Sequence, residues 1–315
     1  MRSPNRETSA LTSPPRRILR TKKQQDRAFS LFLLMPAIVT CIIFILLPII
    51  NSVAMSFTSY KLINMTKGIP GEWNNFGNYI RLWKSGKLQD SIGITFFFVL
   101  MTVGLTFRVS MTLALLLDSK IKGARLLRSV MMIPWVIPTV ISGLLWAWIF
   151  ANPYGLLQYV VKVFTHGRIE NIGILNNENT AIWGVIIAAL WKQIPLMTLL
   201  LLTGMQNVSE DIMEAAKIDG ANYWNRLIHV LLPQMKSVIA VTVSMCIIEN
   251  VKQSPLFAPL TNGAPANATS TLAVLSYDEA FVNNNYGSGA AVTTIWLLIM
   301  IVVVFLFNRI FKKDN

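Results

Sequence analysis

Three ionisable side chains, Arg108, Lys192 and Glu249, stand inside long apolar stretches of the sequence. A charge in hydrocarbon is costly and rare, so such residues either pair with one another or face a water-filled path for something polar. The amides of Asn250 and Gln253 follow Glu249 closely and add neutral donors and acceptors to the same stretch. At about 1.5 Å of rise per helical residue, the three charges lie roughly 14, 16 and 20 Å from the ends at Leu117, Thr203 and Lys236. Such similar depths allow two arrangements. One is a buried salt bridge from Glu249 to Lys192 or Arg108, and the other is a polar pathway lined by all five residues.

Covalent chemistry has no comparable footing. No Gly-x-x-x-x-Gly-Lys-Ser/Thr run is present to cradle a nucleotide phosphate. The only histidines, His166 and His229, are far apart and lack cysteine companions, so neither a metal site nor a catalytic residue is expected. Cys41 and Cys246 both lie in apolar runs and build no disulfide framework. Trp146, Trp148, Trp183 and Trp191 could stack on sugar rings, but aromatics at this density in apolar segments more often pack or anchor at an interface.

The elements that must hold the charged residues follow from composition. A soluble domain has about a quarter charged residues. Of these 315 residues, 14% are charged and 53% hydrophobic, with a mean hydropathy of +0.51, which argues against a soluble enzyme. About 20 apolar residues in helix cross a bilayer, because only a helix satisfies its own backbone in lipid. Runs of that kind occur at 28–57, 92–117, 130–150, 181–203, 237–251 and 287–311, the fifth being short. The expected fold is therefore an all-α membrane protein with six transmembrane helices. The first run follows a 27-residue arm and has no small-residue cleavage site, so it reads as a retained helix rather than a signal peptide, with Pro36 and Pro48 as kink points.

Net charge is +13, and most of it sorts by topology. With the N-terminus inside, the inner segments carry 18 Lys and Arg and the outer ones 8, which is expected of a multi-pass protein of the cell inner membrane with both termini in the cytoplasm. No nucleic-acid partner is needed to explain the basicity. The expected organisation is a basic, disordered arm over 1–27, a six-helix domain over 28–311 with a long cytoplasmic loop at 204–236, and a short tail over 312–315.

That loop differs from the others. Glu210 and Asp211 open a short helix behind Ser209, where carboxylates oppose the helix dipole, and Gly220 supplies a left-handed stop near Ile218. A second short helix over 221–230 then runs into Pro233. The pattern Glu214-Ala215-Ala216, Gly220, Val230 and Leu232-Pro233 resembles the signature of the inner-membrane permease subunits of binding-protein-dependent ABC importers. Val230 stands where the family more often has Ile.

Other pieces resemble the carbohydrate branch of the family, the maltose, glycerol-phosphate and oligosaccharide type. They are Phe76-Gly77-Asn78-Tyr79, Arg128 with Met132-Ile133-Pro134-Trp135, Ala151-Asn152-Pro153-Tyr154-Gly155-Leu156, and Gly263 through Thr269 with Tyr277 and Ala280-Phe281. Ala264 replaces a usual Gly in the last of these.

The resemblance implies that the chain is half of a carbohydrate translocation pathway. Its partners would be a second permease subunit, usually a different but related chain, two ATPase subunits and a periplasmic or extracellular solute-binding protein. ATP and magnesium would bind the ATPase, with no cofactor in this chain. Glu214, Ala215, Ala216 and Gly220 would couple to the ATPase, with Asp219 supporting the turn. An excess of cations at Arg108 and Lys192 would suit an acidic sugar such as a uronate oligosaccharide. A secondary transporter or a membrane scaffold without ATP coupling are the competing readings; neither explains the loop at 214–233, and no inverted repeat is evident.

Overall fold

The structure is a computed structural model that describes residues 16–119, 122–169 and 171–312. Among these the chain is helical, with one isolated antiparallel bridge between Thr58 and Trp73. It divides into two compact units after Ser52.

The first unit is a long helix, α1 (Arg16–Cys41), continued through a π-helical turn at Ile42–Leu46 into α2 (Leu47–Ser56), whose last turn, from Val53, belongs to the second unit. Helix begins at Arg16, so the second half of the basic arm is helical, while residues 1–15 lie outside the described residues. The π turn ends two residues before Pro48. A proline ring clashes with the carbonyl four residues back, and a wider turn relieves that clash. The same device recurs at Leu227–Leu231, two residues before Pro233.

In the second unit the first polar loop folds into α3 (Leu62–Lys67) and α4 (Gly77–Lys84). The Phe76–Tyr79 segment has a structural use there. Asn78 Nδ2 donates to the carbonyls of Ser56 and Thr58, each at 2.8 Å, and its Oδ1 accepts from Ser288 Oγ at 3.2 Å. Arg81 adds an ion pair to Glu279 at 2.8 Å, so α4 is fixed to the segment ahead of the last helix.

The centre of this unit is the pair α5 (Lys87–Asp118) and α10 (Glu178–Gln206). Small and hydroxyl side chains on α5, namely Ser91, Thr95, Thr102, Thr106, Ser110 and Ala114, are buried along one face. Helices in lipid associate through such faces, because lipid tails are as apolar as Leu and only close packing and hydrogen bonds discriminate. Ser110 Oγ donates to the Ile194 carbonyl of α10 at 3.1 Å. A third long helix, α14 (Lys236–Val251), crosses α10 so closely at Gly204 that a Cβ there would lie 2.8 Å from Val238 Cγ1.

Between α5 and α10 run α6 (Ala124–Met131), α7 (Ile133–Val136), α8 (Thr139–Ile149) and α9 (Leu156–Phe164). After α10 come α11 (Glu210–Ile218), α12 (Tyr223–Arg226) and α13 (Leu232–Gln234), and after α14 come α15 (Ser254–Leu260), α16 (Leu272–Tyr277) and α17 (Tyr286–Lys312). The tail beyond Lys312 lies outside the described residues.

Among the described residues four helices are long and apolar enough to cross a membrane: Phe29–Ser56, Lys87–Asp118, Glu178–Gln206 and Tyr286–Leu306. Two bent pairs bring the number to six if each counts as one span. The expected run at 130–150 is not one straight helix: α6 and α7 meet α8 at 94°. Pro138 is the cause, because it has no N–H and forces the residue before it out of the helical region, and Ile137 has ψ of 131°. The fifth run is likewise the second limb of a pair, bent by 74° between Gln234 and Lys236.

Candidate functional site

A cavity of about 370 Å³ opens between α10, α14 and the bend of the third span. Its wall includes Lys192, Gln193, Thr242, Glu249 and Gln253, together with Trp135 and Thr139 from either side of the bend. Leu196, Met197, Leu200, Met245 and Cys246 supply the apolar remainder. A polar solute would meet one cation, one carboxylate and neutral amide and hydroxyl groups on a mainly apolar surface. That is the make-up of a binding cleft in which a few polar groups fix orientation.

Three of the five residues singled out for a polar pathway, Lys192, Glu249 and Gln253, therefore share one cavity. The ion pair considered for Glu249 forms with a different partner. Glu249 Oε1 meets Lys252 Nζ at 2.8 Å, one turn along the chain, and both side chains are more than half exposed. Lys192 instead donates to backbone: its Nζ reaches the carbonyl of Trp135 at 3.4 Å and that of Ile137 more closely.

Asn250 lies behind the cavity wall, 2% exposed. Its amide is engaged by Gln193 in both directions: Gln193 Nε2 donates to Asn250 Oδ1 at 3.0 Å, and Asn250 Nδ2 donates to Gln193 Oε1 at 2.8 Å. Asn250 Nδ2 also reaches the Cys246 carbonyl at 2.9 Å, and Cys246 Sγ donates to Gln193 Oε1 at 3.3 Å. This cluster ties α10 to α14. Gln193 was not among the sequence candidates, and its signal was a second polar residue beside Lys192 in an otherwise apolar run.

Arg108 is elsewhere. It is exposed on the outward face of α5, in line with the exposed Leu100 and Gly104, and it is not part of the cavity. The turn pattern explains this. Thr102, Thr106 and Ser110 face inward, and a residue two positions from Thr106 is about 200° round the helix.

The loop between α10 and α14 contains the second group of candidates. Glu214, Ala215 and Ala216 belong to α11, whose side chains are almost all exposed; Ile218, at its end, is 86% exposed. Ser209 occupies the N-cap position without a side-chain cap bond. Asp219 ends the helix, its N–H bonded to the Ala215 carbonyl at 2.9 Å, and Ala221 N–H closes the turn on Ala216 at 3.0 Å. Gly220 has φ of +81°, a left-handed conformation that a side chain strains, with open space around it. Asn222 then caps α12, accepting from Asn225 N–H at 2.8 Å. The expected second helix is more broken than the sequence suggested, because the π turn at Leu227–Leu231 separates α12 from α13. Ile212, Ile218, Tyr223, Trp224 and Ile228 leave an exposed apolar surface around the turn.

Residues 107–314, which carry the loop and the whole cavity wall, match the family described as binding-protein-dependent transport system inner membrane component. The chain belongs to this family. It is thus the membrane component of a transport system, a permease subunit rather than an enzyme.

Relatives match along three quarters or more of the permease. The trehalose/maltose transport system permease protein MalF of Thermococcus litoralis is 28% identical over 93% of this chain and 97% of its own length. The sulfoquinovosyl glycerol transport system permease protein SmoG of Agrobacterium fabrum is 28% identical, covering 89% and 90%. The trehalose transport system permease protein SugA of Mycobacterium tuberculosis is 31% identical, covering 75% and 74%. Among solved structures, a bacterial alginate ABC transporter crystallised with an alginate pentasaccharide-bound periplasmic protein has a chain of the same fold, with a TM-score of 0.77 at 17% identity over 93% of this chain and 97% of that one.

Proposed function

We propose that this permease forms half of the translocation pathway of an ATP-driven importer for an oligosaccharide, and that the cavity between α10, α14 and the bent third span is its side of the path. The observation that carries the proposal is the cavity itself: within a membrane domain, Lys192, Gln193, Thr242, Glu249 and Gln253 line one cleft. Relatives named for trehalose, maltose and sulfoquinovosyl glycerol support a carbohydrate cargo.

Within this reading, α11 and the Gly220 turn form the coupling element. Glu214, Ala215 and Ala216 present a helix with small side chains that lets an ATPase surface approach closely, and Asp219 and Gly220 set the turn behind it. The loop lies on the cytoplasmic side, as do both termini, which fits the 18-to-8 distribution of positive charge. A second, related permease supplies the other half of the path, two ATPase subunits bind ATP and magnesium, and a solute-binding protein delivers the sugar outside. Loaded receptor and ATP must each favour one conformation over the other for transport to be driven.

The cavity wall favours a neutral sugar over an acidic one. This chain contributes one cation and one carboxylate to it, and Arg108, which would have tipped the balance, is outside.

Co-purification with the ATPase encoded for the same complex tests the coupling assignment. Gly220→Val and Glu214→Lys should each reduce recovery of the ATPase and receptor-stimulated hydrolysis by tenfold or more, about 1.4 kcal/mol of docking energy. Unchanged recovery and hydrolysis in both variants would overturn it, and would favour a transporter or scaffold that works without ATP.

A further inference from the structure

We infer that Lys192 is a positioning residue: its ammonium group caps the broken third span and so holds Trp135 and Thr139 in the cavity wall. The transported solute is then recognised by other groups. The functional half of this statement rests on the cavity being the transport path; the structural half does not.

The break creates the need. In an uninterrupted helix the Trp135 and Ile137 carbonyls would accept from the N–H groups of residues 139 and 141. The 94° bend between Val136 and Thr139 removes those donors, and Pro138 has no N–H to offer in their place. Helix ends leave their last carbonyls orphaned, and these need a donor from a side chain or water.

Lys192 is placed to meet it. It lies 14 residues from each end of α10, so roughly 21 Å from either end at the usual helical rise and level with the break. Its Nζ donates to both carbonyls. An ammonium group has three donors, so two of them are already committed to backbone. Glu249, the other charge on the wall, is occupied by Lys252 and not by Lys192. Trp135 and Thr139, one on each limb of the bend, both line the cavity, so the angle that Lys192 stabilises also sets the spacing of that wall.

The test reads the bend directly, in the full chain reconstituted in lipid nanodiscs with Cys41→Ser and Cys246→Ser. Spin labels at Leu127→Cys and Leu144→Cys, both exposed in the structure, report the angle by double electron–electron resonance. With 94° between the limbs their backbone sites are about 18 Å apart, and a straight helix would separate them by about 25 Å. Wild type and Lys192→Arg, which keeps two donors, should give the short distance. Lys192→Met should lengthen or broaden it, and adding Pro138→Ala to Lys192→Met should shift the population further toward the long distance.

If Lys192→Met accumulates poorly, Pro138→Ala should restore accumulation, because the continued helix satisfies its own carbonyls; failure to restore it would overturn the inference. In the assembled complex, Lys192→Met should lower the maximal uptake rate while leaving half-saturation by loaded receptor unchanged, with Lys192→Arg rescuing the rate. A wild-type distance in Lys192→Met together with lost uptake would make Lys192 a solute ligand and overturn the inference. If wild type itself takes up no sugar, the proposed transport path fails, and the distance measurement still decides the role of Lys192.

Discussion

The reciprocal amide pair Gln193–Asn250 gives a quantitative test of how α10 and α14 are held together. Asn250 is 2% exposed, and its side chain makes hydrogen bonds of 2.8 and 3.0 Å with Gln193 and 2.9 Å with the Cys246 carbonyl. Removing one partner from a buried pair leaves the other unsatisfied, at about 1–3 kcal/mol. Interhelical hydrogen bonds in membranes couple by about 0.6 kcal/mol on average and about 1.7 at most. Two bonds in one reciprocal pair therefore predict a coupling of about 1–2 kcal/mol.

Asn250→Leu and Gln193→Met should each destabilise the permease by about 2 kcal/mol, and the double variant by about 2–3 rather than 4. Reversible unfolding by sodium dodecyl sulfate in mixed micelles, followed by tryptophan fluorescence, measures all four corners of the cycle. Single effects that add to within about 0.3 kcal/mol would refute the reasoning, since independent sites add and a shared pair does not.

Three further outcomes follow from the geometry. Gly204→Leu should loosen the α10–α14 crossing, because a Cβ there already approaches Val238 Cγ1 to 2.8 Å and Met235 Cε to 3.1 Å; a loss of several degrees in the melting temperature of the solubilised protein checks it. Asn78→Ala should cut the ties from α4 to Ser56, Thr58 and Ser288, and faster amide exchange confined to residues 56–60, 77–84 and 286–289 would show it. Burial holds the Asp278 carboxyl above its usual range, a rise opposed by Lys87 and reinforced by Glu279. The folded state thus binds this proton more tightly than the unfolded one, so the contribution of Asp278 to stability is complete below the ordinary aspartate pKa and is lost as pH rises through the folded value. Asp278→Asn should therefore melt higher than wild type at neutral pH, with the difference closing on acidification toward about pH 4; a constant difference across that range would contradict the assignment.

Much of the fold was legible in the sequence because lipid imposes one solution on an apolar run, and the long helices at 87–118, 178–206 and 286–312 lie where hydropathy put them. The α11 boundaries were readable for local reasons: acidic residues in the first turn, and a glycine where the backbone must turn left-handed. What hydropathy could not give was angle. Pro134 and Pro138 were visible in the third run, yet whether a proline kinks a span or breaks it by 94° depends on what satisfies the freed carbonyls, and that partner, Lys192, comes from a helix more than 50 residues away. Facing was the other gap. Depth alone grouped Arg108 with Lys192 and Glu249, but the helical phase of α5 turns Arg108 away from the cavity, a phase fixed by the small residues of its packed face. Asn250, expected to line the pathway, instead lies behind the cavity wall against Gln193, a partner that emerges only once α10 and α14 cross.

The central claim is that the cavity between α10 and α14 lies on the path of the sugar. Met245 lines that cavity and is 46% exposed, so Met245→Cys on a Cys41→Ser and Cys246→Ser background gives one reactive site in its wall. The assembled complex, in proteoliposomes with its receptor and ATP, would be treated with a bulky charged methanethiosulfonate and assayed for uptake of labelled oligosaccharide. Modification should abolish uptake while ATP hydrolysis continues, and the unsubstituted background should be unaffected by the reagent; full uptake after complete modification would contradict the account.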